Sequence, residues 1–174
     1  MKTISKLSLL FTLGLLLVSC TPQQEPEPEG PTGTAVNPNW QTDINTTSNY
    51  LTALLEGQYD VASGLVQDTF MTQGPSADAI GDFDAVVTFW TNTAQIYTDR
   101  TMQHVSYSVR VVENENPDLI GDWVFHWGEF VGTLISNGEQ VVVPFHLSMK
   151  MVDGKIALQN SYYDNLSVQQ AMSR

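Results

Sequence analysis

The amino-acid sequence predicts one α+β domain in which helices cover one face of a curved antiparallel sheet. Apolar residues recur at helical spacing from Trp40 to about residue 97, and at every second position after residue 99. The turn signals Asn137-Gly138 and Asp153-Gly154 separate the last three alternating segments. Because the helices come first and the strands follow as a meander, we expect two packed layers with a cone-shaped space between them.

The first half of the domain is expected to hold three helices and a short strand. The first helix lies between Asn39, a suitable N-cap, and Gly57, a residue type that often ends helices. A short second helix over Gln58–Val66 and a short strand over Asp68–Thr72 follow. A third helix is predicted over Gly81–Tyr97, and its apolar face consists of Phe83, Val86, Val87, Trp90, Ala94 and Tyr97.

The second half is expected to form four strands. One contains the alternating residues 105–111, and the others cover Asp122–Ile135, Gln140–Val152 and Lys155–Asp164. In the Gln140–Val152 strand, one face carries Val141, Val143, Phe145, Leu147, Met149 and Met151. In the last strand, one face carries Ile156, Leu158, Asn160, Tyr162 and Asp164.

Residues 1–19 have the features of an export signal. Lys2 and Lys6 precede an apolar run over Leu9–Val18, which is too short to span a bilayer comfortably. The Leu-Val-Ser-Cys tetrapeptide that ends at Cys20 resembles the lipobox of bacterial lipoproteins, in which the cysteine is acylated and becomes the new N-terminus. We therefore expect a lipid anchor on Cys20, the chain's single cysteine, and attachment to a bacterial membrane of the cell envelope. The outer membrane is favoured, with the domain facing the periplasm or the surface.

Residues 20–38 are rich in proline and glutamate, so we expect them to form a flexible tether ahead of a folded domain at residues 39–174. Five basic and nineteen acidic residues follow Cys20, which gives the mature chain a net charge of −14. A charge of this sign argues against nucleic acid as a partner and against broad electrostatic docking on anionic lipid.

Several short motifs follow one another along the chain: the helix end Leu54–Asp60, Gly81 ahead of a helix, the turn segment Met151–Ile156, the Tyr162–Asp164 segment and a glutamine at 169 or 170. Together they resemble the SnoaL-like branch of the nuclear transport factor 2-like superfamily, which includes polyketide cyclases and ketosteroid-isomerase-type proteins. The resemblance covers roughly residues 40–170. It implies a cone-shaped barrel, also described as a cystatin-like roll, with an apolar pocket and often a dimer formed through the outer face of the sheet.

The same resemblance makes Asp164 the candidate catalytic residue, because enzymatic members use a pocket carboxylate as a general base on an acidic carbon–hydrogen bond. Alternation places Asp164 on the face shared by Asn160 and Tyr162, and hence toward the pocket. The hydroxyl of Tyr162 then either contacts a ligand or is satisfied within the core. Alternatively, Asp164 caps the segment that begins at Asn165.

Further pocket candidates are Trp90 and Tyr97 on the third helix, and Phe145 on the Gln140–Val152 strand. Trp90 and Tyr97 alternatively belong to the core. The Asp122–Ile135 strand is apolar on both faces. One face has Trp123, Phe125, Trp127, Glu129 and Val131, and the other has Val124, His126, Gly128 and Phe130. If the first face points inward, Trp127 lines the pocket and Glu129 is a second pocket carboxylate; the sequence leaves both arrangements open.

The three histidines, His104, His126 and His146, are expected on the outer face of the sheet, opposite the more apolar side of each strand. Their spacing matches no metal-binding motif, and the sequence contains no glycine-rich phosphate loop after a strand. No metal site and no cofactor are therefore predicted.

Three functions remain open from the sequence. The protein binds a small apolar ligand, or it pairs with a protein partner in the envelope, or it is an isomerase or cyclase with Asp164 as base. Binding ranks above catalysis, because a catalyst needs a base, an oxyanion partner and an open pocket, and the sequence suggests only the base.

Overall fold

The computed structural model describes residues 37–173. The predicted signal peptide, Cys20 and almost all of the predicted tether lie outside the described residues and stay predictions. The helices are α1 (Trp40–Glu56), α2 (Tyr59–Ser63), α3 (Phe83–Ile96) and α4 (Asn165–Met172), with a 3₁₀ turn at Pro117–Leu119. Within the described range, none of the helices is long and apolar enough to cross a membrane.

The strands form one curved, unclosed sheet on which the helices pack, so the predicted α+β fold class is confirmed. They are β1 (Val66–Gln73), β2 (Ile80–Gly81), β3 (Tyr97–Val112), β4 (Gly121–Leu134), β5 (Gln140–Val152) and β6 (Lys155–Tyr163). Their spatial order is β2-β1-β6-β5-β4-β3. The sheet is not wholly antiparallel as expected, because β1 runs parallel to β6. That pair joins segments far apart in sequence, which local periodicity does not predict.

Helix α1 begins and ends through specific backbone contacts. Gly57 is in the left-handed conformation with φ of 75°, and its N–H donates to the carbonyls of Ala53 and Leu54, as expected for a C-cap. Asn39 occupies the N-cap position, but its side chain makes no capping hydrogen bond. Instead the buried Asn37 amide accepts from the backbone N–H of Asn39 and donates to the buried Asp43 carboxylate, both at 2.7 Å. These contacts fix the chain at the start of the domain.

The main core lies between α1 and the inner face of the sheet. Tyr50 and Leu54 of α1 are almost completely buried, and they belong to one apolar cluster with Val124, Met149 and Ile156 from three strands. The odd-numbered residues of β5 are buried or half-buried, which confirms the predicted inner face of this strand. Burial of this apolar surface is the main stabilising contribution to the layered fold.

The register between β4 and β5 decides which face of β4 points inward. His126 pairs with Leu147 and Phe130 pairs with Val143, so the even-numbered side chains of β4 share the inner face with the buried side chains of β5. The other face of β4, with Trp123, Phe125, Trp127, Glu129 and Val131, lies on the outer side of the sheet. The inward arrangement considered for Glu129 and Trp127 is therefore wrong.

A bulge in β6 reverses the face predicted for the second half of that strand. Met151 pairs with Ile156, but the preceding residue of β5, Lys150, pairs with Leu158, so β6 carries one extra residue, Ala157, between the two pairs. After the bulge, the inward residues are Gln159, Ser161 and Tyr163. The inward placement predicted for Asn160 and Tyr162 is wrong, because alternation assigns faces only while the register is unbroken.

A candidate ligand cavity

A cavity of about 500 Å³ lies between α1, α3 and the inner face of the sheet. This volume falls in the range of small-molecule sites in proteins. Its wall is mainly apolar and includes Leu51, Leu54, Val86, Phe89, Trp90, Met102, Phe130, Val143, Phe145 and Leu147. The polar side chains that reach it are Thr72, Asn92, Thr93, Tyr97, Gln159, Ser161 and Tyr163. Among the described residues, no carboxylate, imidazole, ammonium or guanidinium group lines the cavity.

Three of the sequence-predicted pocket residues do line this cavity: Trp90, Tyr97 and Phe145. The rings of Trp90 and Tyr97 both contact Phe130 edge-on, with centroids 6.3 and 5.4 Å away. The Tyr97 hydroxyl is buried and has no hydrogen-bond partner within residues 37–173. Burial raises the pKa of this hydroxyl, so it stays protonated and can donate a hydrogen bond. Contact of these residues with a ligand stays a prediction.

The residues of β6 that reach the cavity were not predicted from the sequence. Gln159 is 8% exposed, and its Nε2 donates to Ser161 Oγ at 3.0 Å. Its Oε1 is buried without a partner among the described residues. Tyr163 also lines the cavity, and burial raises the pKa of its hydroxyl. No sequence signal marks the bulge at Ala157, so only the strand register could reveal these three side chains.

Asp164 does not line the cavity. It lies just after β6, it is exposed, and its Oδ1 accepts a hydrogen bond of 2.9 Å from the backbone N–H of Leu166 in the first turn of α4. This is the geometry of a helix N-cap, the alternative that the sequence offered for this residue. Asn160 and Tyr162 point to the outer face, where Tyr162 is 54% exposed.

Glu129 and Trp127 also lie on the outer face of the sheet. The Glu129 carboxylate contacts Nδ1 of His104 at 2.7 Å. His104 has a positive φ of 51° beside a register shift in β3, and its side chain is exposed, in agreement with its predicted outer position. Trp127 is 42% exposed. Neither Glu129 nor Trp127 can act on a molecule held in the cavity.

His126 is buried inside the domain, so its predicted outer position is wrong. Its ring stacks on Tyr107 at 4.6 Å and meets the edge of Phe145 at 5.2 Å, directly behind the cavity wall. Neither ring nitrogen has a hydrogen-bond partner in the described part of the chain. Burial, followed by the nearby charge of His146, lowers the pKa of His126 to about 4. The imidazole is therefore neutral near physiological pH.

Metal-ligand groups do not cluster in the described structure. Within residues 37–173, no three histidine, cysteine, aspartate or glutamate side chains lie close enough to hold a metal ion. The three histidines are separated by the sheet: His126 points inward, whereas His146 and His104 are on the outer side.

The outer face of the sheet carries a continuous row of rings, here called the outer aromatic row. Its members are Trp123, Phe125, Trp127, His146 and Tyr162. Neighbouring ring centroids lie 4.8 to 6.4 Å apart. The Trp123 end is buried, and its Nε1 donates to the carbonyl of Leu119 at 2.9 Å, whereas the Trp127 and Tyr162 end is exposed. Apolar ring surface is therefore exposed to water mainly at the Trp127 and Tyr162 end of the row.

Comparison with solved structures identifies the fold. A proposed polyketide cyclase from Xanthomonas campestris pv. campestris aligns with a TM-score of 0.60 and 16% identity, over 78% of this chain and 97% of the other. IdmH from Streptomyces antibioticus, another proposed polyketide cyclase, aligns with a TM-score of 0.58 and 16% identity, over 76% and 99%. An NTF2-like protein from Burkholderia xenovorans LB400 aligns with a TM-score of 0.57 and 12% identity, over 75% and 95%. The chain has the nuclear transport factor 2-like fold.

The nuclear transport factor 2-like fold agrees with the resemblance found in the sequence motifs. No protein-family profile matches the sequence, and no curated protein matches it. At the identities observed, the structural similarity establishes the fold alone, and the chemistry has to be argued from the side chains of the cavity.

Proposed function

We propose that this protein is a lipid-anchored binding protein of the bacterial cell envelope that holds a small, largely apolar molecule in its nuclear transport factor 2-like cavity. The observation that carries this proposal is the composition of the cavity wall: aromatic and aliphatic side chains with a few neutral polar groups. Such a wall gives favourable burial of apolar ligand surface, and the polar groups orient the ligand.

The same wall argues for binding rather than for general-base catalysis. A base that removes a proton from carbon must reach its substrate with an unprotonated carboxylate, imidazole or amine. The described lining offers none of these groups, and its tyrosine hydroxyls have pKa values raised by burial. Asp164, the base of the enzymatic alternative, caps α4 instead. Enzymatic activity with Asp164 as base is thus the weaker proposal.

Ligand binding can be tested by blocking the cavity from its α3 side. Ala85 is exposed and lines the cavity, whereas Ala94 is exposed on the same helix away from it. We expect Ala85→Trp to reduce binding of an apolar fluorescent probe such as pyrene at least tenfold, because the indole occupies the opening. Ala94→Trp is the matched control and should bind as the wild type does. Equal binding by both variants contradicts the proposed site.

The anchoring part of the proposal rests on the sequence at Cys20. The basic start, the apolar run and the lipobox-like tetrapeptide support acylation of this cysteine, and two or more acyl chains give stable membrane attachment. Labelling with radioactive palmitate followed by membrane fractionation tests it. Cys20→Ser should abolish both the label and the membrane association, whereas labelled Cys20→Ser protein would refute acylation at this position.

We also propose that two copies pair through the outer aromatic row. The exposed rings of Trp127 and Tyr162 support this, since such a surface is unfavourable in water unless a partner covers it. Trp127→Asp should convert a dimer to a monomer in light scattering of the detergent-solubilised chain. Val61→Asp, an exposed apolar residue on α2, is the control and should leave the mass unchanged. A wild-type chain that is monomeric at all concentrations contradicts the pairing.

A further inference from the structure

Two side chains that line the cavity, Tyr97 and Gln159, have a buried polar atom without a hydrogen-bond partner among residues 37–173, and in Gln159 the rest of the amide is already paired. Gln159 is more than nine-tenths buried, and it lines the cavity from β6, the strand between β1 and β5. The amide nitrogen, Nε2, donates to Ser161 Oγ at 3.0 Å. The amide oxygen, Oε1, has no hydrogen-bond partner anywhere in residues 37–173. Leaving a buried polar atom unpaired is unfavourable, so a molecule that completes this pairing binds more tightly.

The backbone of Gln159 is held rigidly, so its amide is a fixed feature of the cavity. Gln159 pairs with Met149 of β5 on one side and with Thr72 of β1 on the other. Hydrogen bonding on both edges makes β6 an interior strand of the sheet at this position. The bond to Ser161 then restricts the side chain to one direction. A ligand therefore meets a preorganised polar group, which reduces the entropic cost of binding.

The chemistry of the unpaired atom restricts the ligand. With the amide nitrogen bonded to Ser161, the oxygen is the buried unpaired atom, and it is a hydrogen-bond acceptor. With the amide reversed, Ser161 donates to the oxygen, and the unpaired group is the N–H₂ donor. A hydroxyl group can serve either arrangement, because it both donates and accepts. An ionised group is disfavoured, because the described lining holds no opposite charge to offset its desolvation.

We infer that the cavity selects an uncharged, largely apolar molecule that carries a hydroxyl group, and that Gln159 recognises this hydroxyl. The inference rests on the proposed binding function. It adds the chemical class of the ligand and the residue that binds the ligand's hydroxyl group. The aromatic walls contributed by Trp90 and Phe130 contact the apolar body, and the amide of Gln159 fixes its orientation.

Three matched probes of one ring system test this selection: pyrene, hydroxypyrene and pyrenecarboxylate. The full lipidated chain is presented with equal amounts of the probes, and native mass spectrometry from detergent micelles counts the bound species. We expect hydroxypyrene to exceed pyrene by roughly threefold to tenfold, the ratio for one net hydrogen bond. Pyrenecarboxylate should bind least.

Two variants of neighbouring residues separate recognition from general effects. Gln159→Met keeps the approximate side-chain volume and removes the amide, so the preference for hydroxypyrene over pyrene should disappear while pyrene still binds. Asn160→Leu changes the next residue, which lies on the outer face of β6, and should keep the preference. Circular dichroism confirms that each variant is folded.

The outcomes distinguish this inference from the proposed function. If the wild type binds none of the three probes, the proposed apolar binding function fails together with the inference. If it binds pyrene and hydroxypyrene equally, or if Gln159→Met keeps the wild-type preference, recognition by Gln159 is refuted while the binding function stands. Preferred binding of pyrenecarboxylate also overturns the inference.

Discussion

His126 makes the stability of this domain depend on pH in a way that one substitution removes. The side chain is 2% exposed, its ring lies between Tyr107 and Phe145, and its pKa is lowered from 6.5 to about 4. In the unfolded chain the imidazole accepts a proton below its ordinary pKa near 6.5, whereas the folded domain accepts it only near pH 4. Between these values the unfolded state binds more protons, so the free energy of unfolding falls as the pH falls.

The magnitude follows from the two pKa values. A difference of one pKa unit corresponds to about 1.4 kcal/mol, so the change from 6.5 to about 4 is worth about 3 kcal/mol. This loss begins near pH 6.5, is complete near pH 4, and does not grow further at lower pH. It is a large fraction of the net stability of a typical domain, which is roughly 5–15 kcal/mol.

His126→Phe isolates this contribution, because a phenyl ring keeps aromatic contacts with Tyr107 and Phe145 but does not titrate. Urea unfolding is followed by tryptophan fluorescence at several pH values between neutrality and about pH 4. The wild type should lose about 3 kcal/mol of unfolding free energy relative to the variant across this range. The other titrating groups are shared, so their contributions cancel in the difference, except for the smaller contribution of His146, which is electrostatically coupled to His126.

A second substitution, His126→Leu, controls for packing. It should shift the neutral-pH stability by a different amount from His126→Phe but give the same pH-dependent difference from the wild type. A difference between wild type and variants that stays flat over this pH range refutes the burial of a neutral His126.

Three further predictions concern the architecture around the cavity. Gly74→Ala should reduce the free energy of unfolding by more than about 2 kcal/mol in urea titrations. The φ of Gly74 is 109°, and an added Cβ collides with the Ser161 carbonyl oxygen. A loss below about 0.5 kcal/mol contradicts this close approach. Asp164→Ala should speed hydrogen exchange of the α4 amides, because the lost cap contributes about 1 kcal/mol, and it should leave pyrene binding unchanged. Loss of pyrene binding with unchanged exchange in α4 would instead support a role of Asp164 in the cavity. Trp123→Phe should cost about 1 kcal/mol through the lost bond to the Leu119 carbonyl, and an unchanged urea midpoint counts against that bond.

The sequence predicted most of the elements because their signals are local. The apolar period of α3, the turn at Asp153-Gly154 and the glycine that ends α1 each depend on neighbouring residues only. The bounds of β5 were predicted as Gln140–Val152 and are the same in the structure. The inner face of β5 was also predicted, because the residues of its other face are less apolar.

The faces of β4 and β6 were harder to predict for different reasons. Strand β4 is apolar on both sides, since one side packs on the core and the other forms the outer aromatic row. Only pairing with β5 distinguishes the two, and this pairing is not a local property. In β6, one extra residue at Ala157 exchanges the two faces. Gln159, and not Asn160, therefore lines the cavity. Asp164, which was expected in the pocket, caps α4.

The most direct test of the central claim is to count the apolar molecules held by one chain. Native mass spectrometry of the lipidated protein with pyrene should show one bound probe per wild-type chain, and this species should be lost in Ala85→Trp but kept in Ala94→Trp. A wild-type chain that binds no probe, or a bound probe that survives Ala85→Trp, contradicts the account of the cavity as the ligand site.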